Sequence, residues 1–175
     1  PFTGTLSTDL IGWYPYCGNA NDESGNGKNG SVYGASLSLD RFNNPNSAYK
    51  YDGVDDYIDY GAFLLNSPSE YTISAWVKFG SFSQSSYIFS QATNGEIQLS
   101  TSPSGVFSWN KLTSGGSVSV GTNVPDTTDW HHVVAVFDDN NNTLDFYLDN
   151  VKYSTTHNSN LASYNGPALT GRQSN

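Results

Sequence analysis

Short runs of β-branched and aromatic residues recur along the chain between clusters of Gly, Asn, Asp and Ser. This spacing is typical of the strands and turns of a β-sandwich or barrel. No window of about 11 or more residues carries a sustained helical period of apolar residues. The sequence therefore predicts an all-β fold, with strands at 9–16, 31–39, 47–52, 56–60, 71–80, 86–92, 95–100, 105–110, 117–123, 130–138, 143–149 and 151–156.

Three segments indicate how these strands are arranged. The alternation in "TISAWVKF" places four apolar residues on one face, namely Ile73, Ala75, Val77 and Phe79. The continuous apolar run "HHVVAVFD" predicts a strand that is buried on both faces. "TLDFYLDNVKYS" predicts a hairpin that turns at Asp149-Asn150, because both residues tolerate left-handed backbone. Two packed antiparallel sheets in a single domain over residues 1–175 are the simplest architecture.

The charge balance excludes some classes of partner. The formal net charge is −9, and the chain has 7 Lys and Arg residues in total. Nucleic acid is excluded as a partner because neutralising its phosphates requires basic residues. No apolar run reaches the roughly 18 residues of a membrane-spanning segment, so membrane insertion is excluded too. An acidic surface rich in neutral polar residues predicts an extracellular, cell-surface or virion-surface protein that meets cations or neutral polymers.

Several long segments carry a resemblance to a known family. "LIGWYPYCGNANDESGNGKNGSVYGASLSLDRFNNPNSAYKYDGVDDYIDYG" resembles the opening of bacterial laminin-G-like domains, which belong to the concanavalin A-like jelly-roll superfamily. "YTISAWVKF" and "WHHVVAVFDDNNNTLDFYLDNVKY" resemble core strands of that family, and "ALTGR" resembles the start of its penultimate strand. The resemblance implies a two-sheet antiparallel jelly-roll sandwich. The fold alone does not select a function, because it hosts sugar binders, adhesion modules and hydrolases.

The resemblance also implies a further strand after "GRQSN". We therefore expect the jelly roll to lack its last strand or to borrow it from a flanking domain or another chain. An unpaired sheet position leaves backbone N–H and C=O groups without partners. The isolated chain is expected to be strand-complemented or prone to aggregation.

The segment "NANDESGNGKNG" at 19–30 places oxygen-bearing side chains among three glycines. It is either a polar turn or a cation site, since calcium takes six to eight oxygen ligands from carboxylates, amides and carbonyls. Asp22 and Asn26 are four residues apart, and Gly25 lets a carbonyl turn inward. The family resemblance implies a structural calcium ion here, held by Asp22, Gly25 and Asn26.

The segment "DGVDDYIDYG" contains four carboxylates, those of Asp52, Asp55, Asp56 and Asp59. They form either a second cation site or a turn at Asp52-Gly53. In the structural interpretation, which we favour, the following strand buries Tyr57 or Ile58.

A sugar site needs flat aromatic faces together with amides or carboxylates for the hydroxyls. The resemblance implies that Trp13, Trp76 and Trp130 pack in the core, at positions that the family fills with large apolar residues. Trp109 lies on a middle strand where no such demand is known. The prediction is a concave-face platform formed by Trp109, Tyr87, Gln91, Gln98 and Asn110.

The carboxylates do not predict catalysis. Retaining glycosidases use two carboxylates about 5 Å apart, but Glu23, Glu70 and Glu96 are far apart in sequence. His131 and His132 lie in an apolar strand and are interpreted as structural. We therefore predict no catalytic residues.

The sequence favours a non-catalytic extracellular recognition module that binds carbohydrate or another surface polymer, with calcium shaping its loops. Two alternatives stay open. One is a structural, adhesion or assembly module that a neighbouring strand completes. The other is an accessory binding domain of a polysaccharide-degrading enzyme.

Overall fold

A computed structural model describes residues 9–62, 65, 69–91, 97–113, 116–157 and 167–171. Thirteen strands lie in this part of the chain. They are β1 (Ser31–Tyr33), β2 (Ser36–Ser38), β3 (Ala48–Lys50), β4 (Tyr57–Ala62), β5 (Glu70–Val77), β6 (Ser86–Gln91), β7 (Ile97–Thr101), β8 (Val106–Thr113), β9 (Gly116–Asn123), β10 (His131–Asp138), β11 (Thr143–Leu148), β12 (Val151–Thr156) and β13 (Pro167–Thr170).

The strands form two main sheets and one small one. The larger sheet has the order β1-β4-β13-β6-β7-β8-β9, and the smaller main sheet has the order β12-β11-β10-β5. Strands β2 and β3 form a separate hairpin, and all neighbouring strands are antiparallel. The predicted all-β, two-sheet antiparallel sandwich is confirmed. The described residues include no helix that is long and apolar enough to cross a membrane.

The core lies between the two main sheets and is built largely from aromatic rings. Phe107 on β8 contacts Phe146 on β11 edge-to-face, with ring centroids 5.1 Å apart. Trp109 contacts Tyr71 on β5 in the same way at 5.9 Å. Such edge-to-face pairs add stabilisation beyond the area that they bury.

Strand β10 corrects one prediction. Its residues alternate between buried and half-buried, with Val133, Ala135 and Phe137 fully buried. The apolar run is therefore buried on one face only. Its other face, which carries Val134 and Val136, is the outer surface of the four-stranded sheet.

The predicted strand at 9–16 is wrong, because the described part of this segment is irregular. The N–H of Trp13 donates to a carboxylate oxygen of Asp22 at 3.0 Å, and its carbonyl accepts from the N–H of Glu23 at 2.8 Å. Tyr16 is in the left-handed region with a φ of 57°, which no regular strand permits. The backbone groups of this segment therefore bond to a loop instead of a strand.

The side chains of the same segment close one end of the sandwich. Tyr14 packs on Tyr60 of β4 with ring centroids 4.4 Å apart, and the hydroxyls of Tyr16 and Tyr60 are hydrogen-bonded. Thr170 on β13 is in hydrogen-bond contact with the hydroxyls of Tyr51 at 2.9 Å and Tyr60 at 3.2 Å. A tyrosine cluster thus covers the inner side of β4 and β13.

Two turns show why local residue choice matters. The predicted strand 31–39 is interrupted at Gly34, which has a φ of 75°. A side chain there would be strained by this left-handed backbone and would place its Cβ 1.9 Å from Oδ1 of Asp56, so glycine is favoured. The predicted hairpin at Asp149-Asn150 is confirmed, with φ values of 49° and 69°.

Candidate functional site

The structure separates the five residues predicted to form one sugar platform. Trp109 is 0% exposed and lies between the two sheets. Its place on an exposed platform is therefore wrong, because its indole faces the core beside Phe107.

Gln91 is likewise fully buried, and its prediction as a ligand contact is wrong. Its Oε1 accepts from the N–H of Leu65 at 2.9 Å, and its Nε2 donates to the carbonyl of Leu65 at 2.6 Å. Both polar atoms of the Gln91 amide therefore form hydrogen bonds with the buried backbone of Leu65. Gln91 is a structural residue.

The other three predicted residues share one surface, the outer face of the seven-stranded sheet. Gln98 on β7 is directly opposite Asn110 on β8, and Tyr87 on β6 is opposite Ser100 on β7. Each of the three predicted side chains is half-buried. Opposite residues on neighbouring strands lie about 5 Å apart and point to the same face. The register therefore brings Tyr87, Gln98 and Asn110 together.

The register continues this face into a polar row across six strands. From β4 to β9 its polar members are Asp59, Ser90, Gln98, Asn110 and Ser119, and the buried Leu169 of β13, 6% exposed, lies between Asp59 and Ser90. We call this set the polar row. A second row beside it contains Tyr87, Ser100, Ser108 and Gly121.

Small side chains form the floor between the larger ones. Ser90 and Ser100 are only 7% and 9% exposed, although they are on the outer face. The Nδ2 of Asn110 donates to the hydroxyls of Ser100 at 3.2 Å and Ser108 at 2.9 Å. These bonds fix the amide and direct its Oδ1 away from the serines. Among the described residues, no side chain bonds to the amide of Gln98, so both amides have capacity for ligand hydroxyls.

An aromatic pair at the β1 end of this face was missed from the sequence. Tyr33 and Tyr57 are opposite one another on β1 and β4, and their rings stack with centroids 4.6 Å apart. Tyr33 is 48% exposed, whereas Ile58 is fully buried. Of the two residues predicted to be buried by this strand, Ile58 is the one that enters the core. Alternation along "YID" signals an outward Tyr57, but its pairing with Tyr33 depends on long-range register.

The loop at 19–30 is organised by one carboxylate. Asp22 is 9% exposed. Its Oδ1 accepts from the N–H groups of Trp13 at 3.0 Å and Ser24 at 2.9 Å, and its Oδ2 accepts from the N–H of Lys28 at 3.1 Å. One ionised side chain therefore holds three parts of the backbone together through hydrogen bonds.

These contacts bear on the predicted calcium site. Asn26 donates its Nδ2 to the carbonyls of Leu10 at 2.7 Å and Ile11 at 3.2 Å, and Gly25 adopts a left-handed φ of 94°. The carboxylate of Asp22 faces N–H donors, and such donors repel a cation. Calcium ligation by Asp22, Gly25 and Asn26 therefore does not fit this arrangement, which is the polar turn of the alternative interpretation.

The pKa of Asp22 reflects this environment. Burial acts to raise the pKa, but hydrogen bonds from the Ser24 side chain and from the backbone N–H groups of Trp13, Ser24 and Lys28 outweigh it, so the pKa is lowered. A lowered pKa means that the charged form stabilises the fold at pH values above the ordinary pKa of an aspartate. This stabilisation is lost as the pH falls through the lowered pKa.

We expect Asp22→Ala to lower the free energy of unfolding by about 2 kcal/mol at neutral pH, because three backbone N–H groups lose a charged acceptor. Urea denaturation measures the change, and the exposed neighbour Glu23→Gln is the control. The loss is expected to be equal in calcium and in chelator. A difference between wild type and variant that appears only with calcium would contradict the polar-turn assignment.

The second acidic segment does bring carboxylates together. One oxygen from each of Asp52, Asp55 and Asp56 lies within 4.8 Å of the others. The same carboxylates bond to the turn, since Asp52 accepts from the N–H of Val54 at 2.7 Å and Asp56 accepts from the N–H of Asp52 at 2.8 Å. Asp59 instead accepts from the N–H of Gly61. A cation at this turn stays a prediction.

The two adjacent histidines point in opposite directions. His131 is buried, and its Nδ1 lies 2.7 Å from Oδ2 of Asp149, at the turn of the β11–β12 hairpin. The other carboxylate oxygen of Asp149 accepts from the N–H of His132 at 2.9 Å. His131 therefore ties β10 to this hairpin.

Comparison with known proteins identifies the family. Residues 52–175 match a laminin G family described as the concanavalin A-like lectin/glucanases superfamily. This match covers well over half of the chain. No curated protein is significantly similar to the chain in sequence.

Several solved structures share the fold. Trypanosoma rangeli sialidase has a TM-score of 0.66 at 15% identity, covering 91% of this chain and 27% of the sialidase. The binding domain of botulinum neurotoxin DC, in complex with SialylT, has a TM-score of 0.61 at 11% identity, covering 87% of this chain and 40% of that chain. The Bacillus subtilis carbohydrate-binding module CBM66 has a TM-score of 0.41 at 11% identity, covering 82% of this chain and 92% of the module. This chain spans less than half the length of the first two proteins.

Proposed function

This chain belongs to a laminin G family of the concanavalin A-like lectin/glucanases superfamily, and from that membership we propose that it is an extracellular module that binds carbohydrate. The binding surface is the outer face of the seven-stranded sheet, where Tyr87, Gln98 and Asn110 meet. The observation that carries the proposal is the register that aligns these three side chains above a serine floor. The likeness to a toxin binding domain in complex with SialylT supports a carbohydrate ligand in general.

The chemistry of this face favours a neutral glycan. The amides of Gln98 and Asn110 both donate to and accept from sugar hydroxyls. The ring of Tyr87 provides an apolar surface for the C–H side of a pyranose. No Lys or Arg belongs to either row among the described residues. A hydroxyl-rich, uncharged sugar therefore fits better than an acidic one.

The distance from Asp59 on β4 to Gln98 on β7, within the polar row, favours a polymer. Strands β4 and β7 are separated by β13 and β6, so they lie three strand spacings apart. At about 4.8 Å per spacing this is about 14 Å, which is longer than a single sugar ring. The stacked Tyr33–Tyr57 pair at the far end offers a second contact to the same chain of sugars. We therefore propose a glycan that runs across the strands.

The face supports binding without catalysis. Asp59 is the only carboxylate that the described residues contribute to the two rows, and glycosidases of this type need a pair about 5 Å apart. The carboxylate of Asp59 already accepts a hydrogen bond from the N–H of Gly61 at 2.7 Å.

We expect Gln98→Ala and Asn110→Ala each to weaken binding to a retained neutral glycan by about tenfold or more, because ligand hydroxyls lose a buried partner. A glycan array identifies the ligand, and isothermal titration calorimetry gives the dissociation constants. Thr72→Ala, on the outer face of the four-stranded sheet, is the matched control. Unchanged affinity in both variants, with the fold intact, would show that the glycan binds elsewhere.

An assembly role is the second candidate, favoured by the edge of the four-stranded sheet. Within the described residues, β5 pairs with β10 alone. Its inward residues Ile73 and Ala75 are only half-buried, whereas their partners Ala135 and Val133 on β10 are fully buried. An eight-residue edge of this kind can accept a strand from a neighbour. If the chain acts only in assembly, the glycan array retains no ligand.

A further inference from the structure

The outer face of the four-stranded sheet carries an exposed aromatic and basic cluster that the glycan face does not use. Trp76 on β5 is 43% exposed and is directly opposite His132 on β10. Their rings stack with centroids 5.0 Å apart, and the hydroxyl of Ser74 lies 2.9 Å from Nε2 of His132. Trp76 is therefore held in place on an open surface instead of packing in the core.

The turn of the β2–β3 hairpin brings a cation to this cluster. The guanidinium carbon of Arg41 lies 4.3 Å from the ring centroid of Trp76 and 4.4 Å from that of Phe42. Phe42 is 66% exposed. A guanidinium held over aromatic rings has further N–H donors, and these suit a planar, two-oxygen partner. We call Arg41, Phe42, Trp76 and His132 the Arg41 cluster.

The charge of Arg41 has no carboxylate partner within ion-pair distance in the described part of the chain. The net charge is −9, so acidic side chains are abundant, and Asp40 is its neighbour in sequence. Asp40 uses its carboxylate inside the turn, where it accepts from the N–H groups of Phe42 at 2.8 Å and Asn44 at 2.9 Å and from the Nδ2 of Asn44 at 3.0 Å. The turn therefore positions Arg41 near Asp40, where the hydrogen bonds from Asn44 and, to a smaller extent, the Arg41 charge lower the pKa of the Asp40 carboxyl. The side chains of Arg41 and Asp40 nevertheless form no ion pair in the described part of the chain.

We propose that the Arg41 cluster is a second binding site, specific for a sugar that carries a carboxylate. A guanidinium fork binds a carboxylate through two parallel hydrogen bonds, and the exposed ring of Phe42 provides apolar surface for the sugar C–H groups. The carbohydrate class rests on the proposed function, whereas the carboxylate is argued from Arg41 alone. The net charge of −9 disfavours densely charged polyanions more than a sugar with one carboxylate, because the repulsion grows with the charge of the ligand.

The test compares methyl β-glucuronide with methyl β-glucoside, which differ by a carboxylate in place of a hydroxymethyl group. Nuclear magnetic resonance of the wild-type chain follows the indole N–H of Trp76 and the Nε–H of Arg41 during titration. We expect saturable shifts of both signals with the glucuronide and none with the glucoside. Equal responses to both sugars, or no saturable response to the glucuronide, would overturn the proposal.

Variants separate the guanidinium fork from charge alone. Arg41→Gln and Arg41→Lys are both expected to weaken glucuronide binding by about tenfold or more, since neither retains the two-pronged donor. Lys50→Gln, which removes an exposed charge from the same hairpin, is the matched control and is expected to bind normally. Full affinity in Arg41→Lys would contradict the fork. Equal affinity for acetate would contradict a sugar ligand.

This experiment is independent of the first proposal. Gln98→Ala and Asn110→Ala lie on the other sheet and are expected to leave the glucuronide response of Trp76 unchanged. If the chain binds no neutral glycan but retains this response, the proposed function is contradicted and the second binding site is supported. Loss of the response in Gln98→Ala would instead assign the acidic sugar to the glycan face and overturn the second site.

Discussion

Replacing Trp109 by alanine is expected to lower the free energy of unfolding by about 3–5 kcal/mol. The indole is fully buried between the sheets and contacts Tyr71 at 5.9 Å, so its removal deletes apolar contacts from both sheets and leaves a cavity. A loss of this size is a large part of the roughly 5–15 kcal/mol that stabilises a typical domain. Urea or thermal unfolding followed by circular dichroism measures it.

Trp76→Ala is the matched control, because it removes the same side chain from an exposed position. Its effect on unfolding is expected to be less than about half of that at Trp109. Trp109→Phe is informative as well. The indole Nε1 of Trp109 has no hydrogen-bond partner among the described residues, so phenylalanine restores most of the packing without a buried N–H. Stability that is insensitive to Trp109→Ala would place this residue outside the core.

The second large effect is expected at Gln91. Gln91→Ala leaves the N–H and the carbonyl of Leu65 without their partners in a buried position. Each unsatisfied group costs about 1–3 kcal/mol, so we expect a loss of about 2–6 kcal/mol in the free energy of unfolding. Denaturation in urea measures the change.

Gln98→Ala is the control for Gln91, since it removes the same amide from the outer face of the neighbouring strand. Its stability is expected to stay within about 0.5 kcal/mol of the wild type, while its glycan affinity falls. We therefore expect Gln91→Ala to lower stability, and Gln98→Ala to lower glycan affinity with little change in stability. Similar losses of stability in both variants would contradict the opposite facing of Gln91 and Gln98.

The sequence predicts the architecture well because the pattern that specifies it is local. Alternation of apolar and polar residues has a period of two in every strand, and turn residues such as Asp149-Asn150 mark the hairpins. The irregular segment at 9–16 was misassigned for the opposite reason. Its aromatic residues suit a strand, but the carboxylate of Asp22, nine residues away from Trp13, takes the N–H that a strand would use.

The candidate site was only partly predictable from the sequence, and the tryptophans show why. Alternation along "VFSWNKLT" places Trp109 with Phe107 and opposite to Asn110, so those two predicted ligand contacts could not share a face. Alternation along "TISAWVKF" similarly places Trp76 opposite to Ile73, on the outer surface. Trp13 and Trp76, predicted to pack in the core, are 40% and 43% exposed. The abundance of aromatic residues favours a sugar platform, but the two-residue period of each strand determines which aromatic side chains lie on the outer face.

Long-range register determines the remainder of the site. Gln91 and Gln98 lie on paired strands, yet Gln98 is opposite Ser90 and Gln91 is opposite Ile97. A shift of one residue exchanges the two faces of a strand. No local sequence pattern determines that pairing. No local pattern predicts either that Arg41, in a hairpin turn, lies over the ring of Trp76.

The most direct test of the proposed glycan face is a map of backbone and side-chain amide shifts as a neutral glycan is added to the wild-type chain. We predict that the largest saturable shifts belong to the amide groups of Gln98 and Asn110 and to the backbone of Tyr87, with no change at Trp76. Largest shifts on the four-stranded sheet, or at the loop of Asp22, would contradict the account.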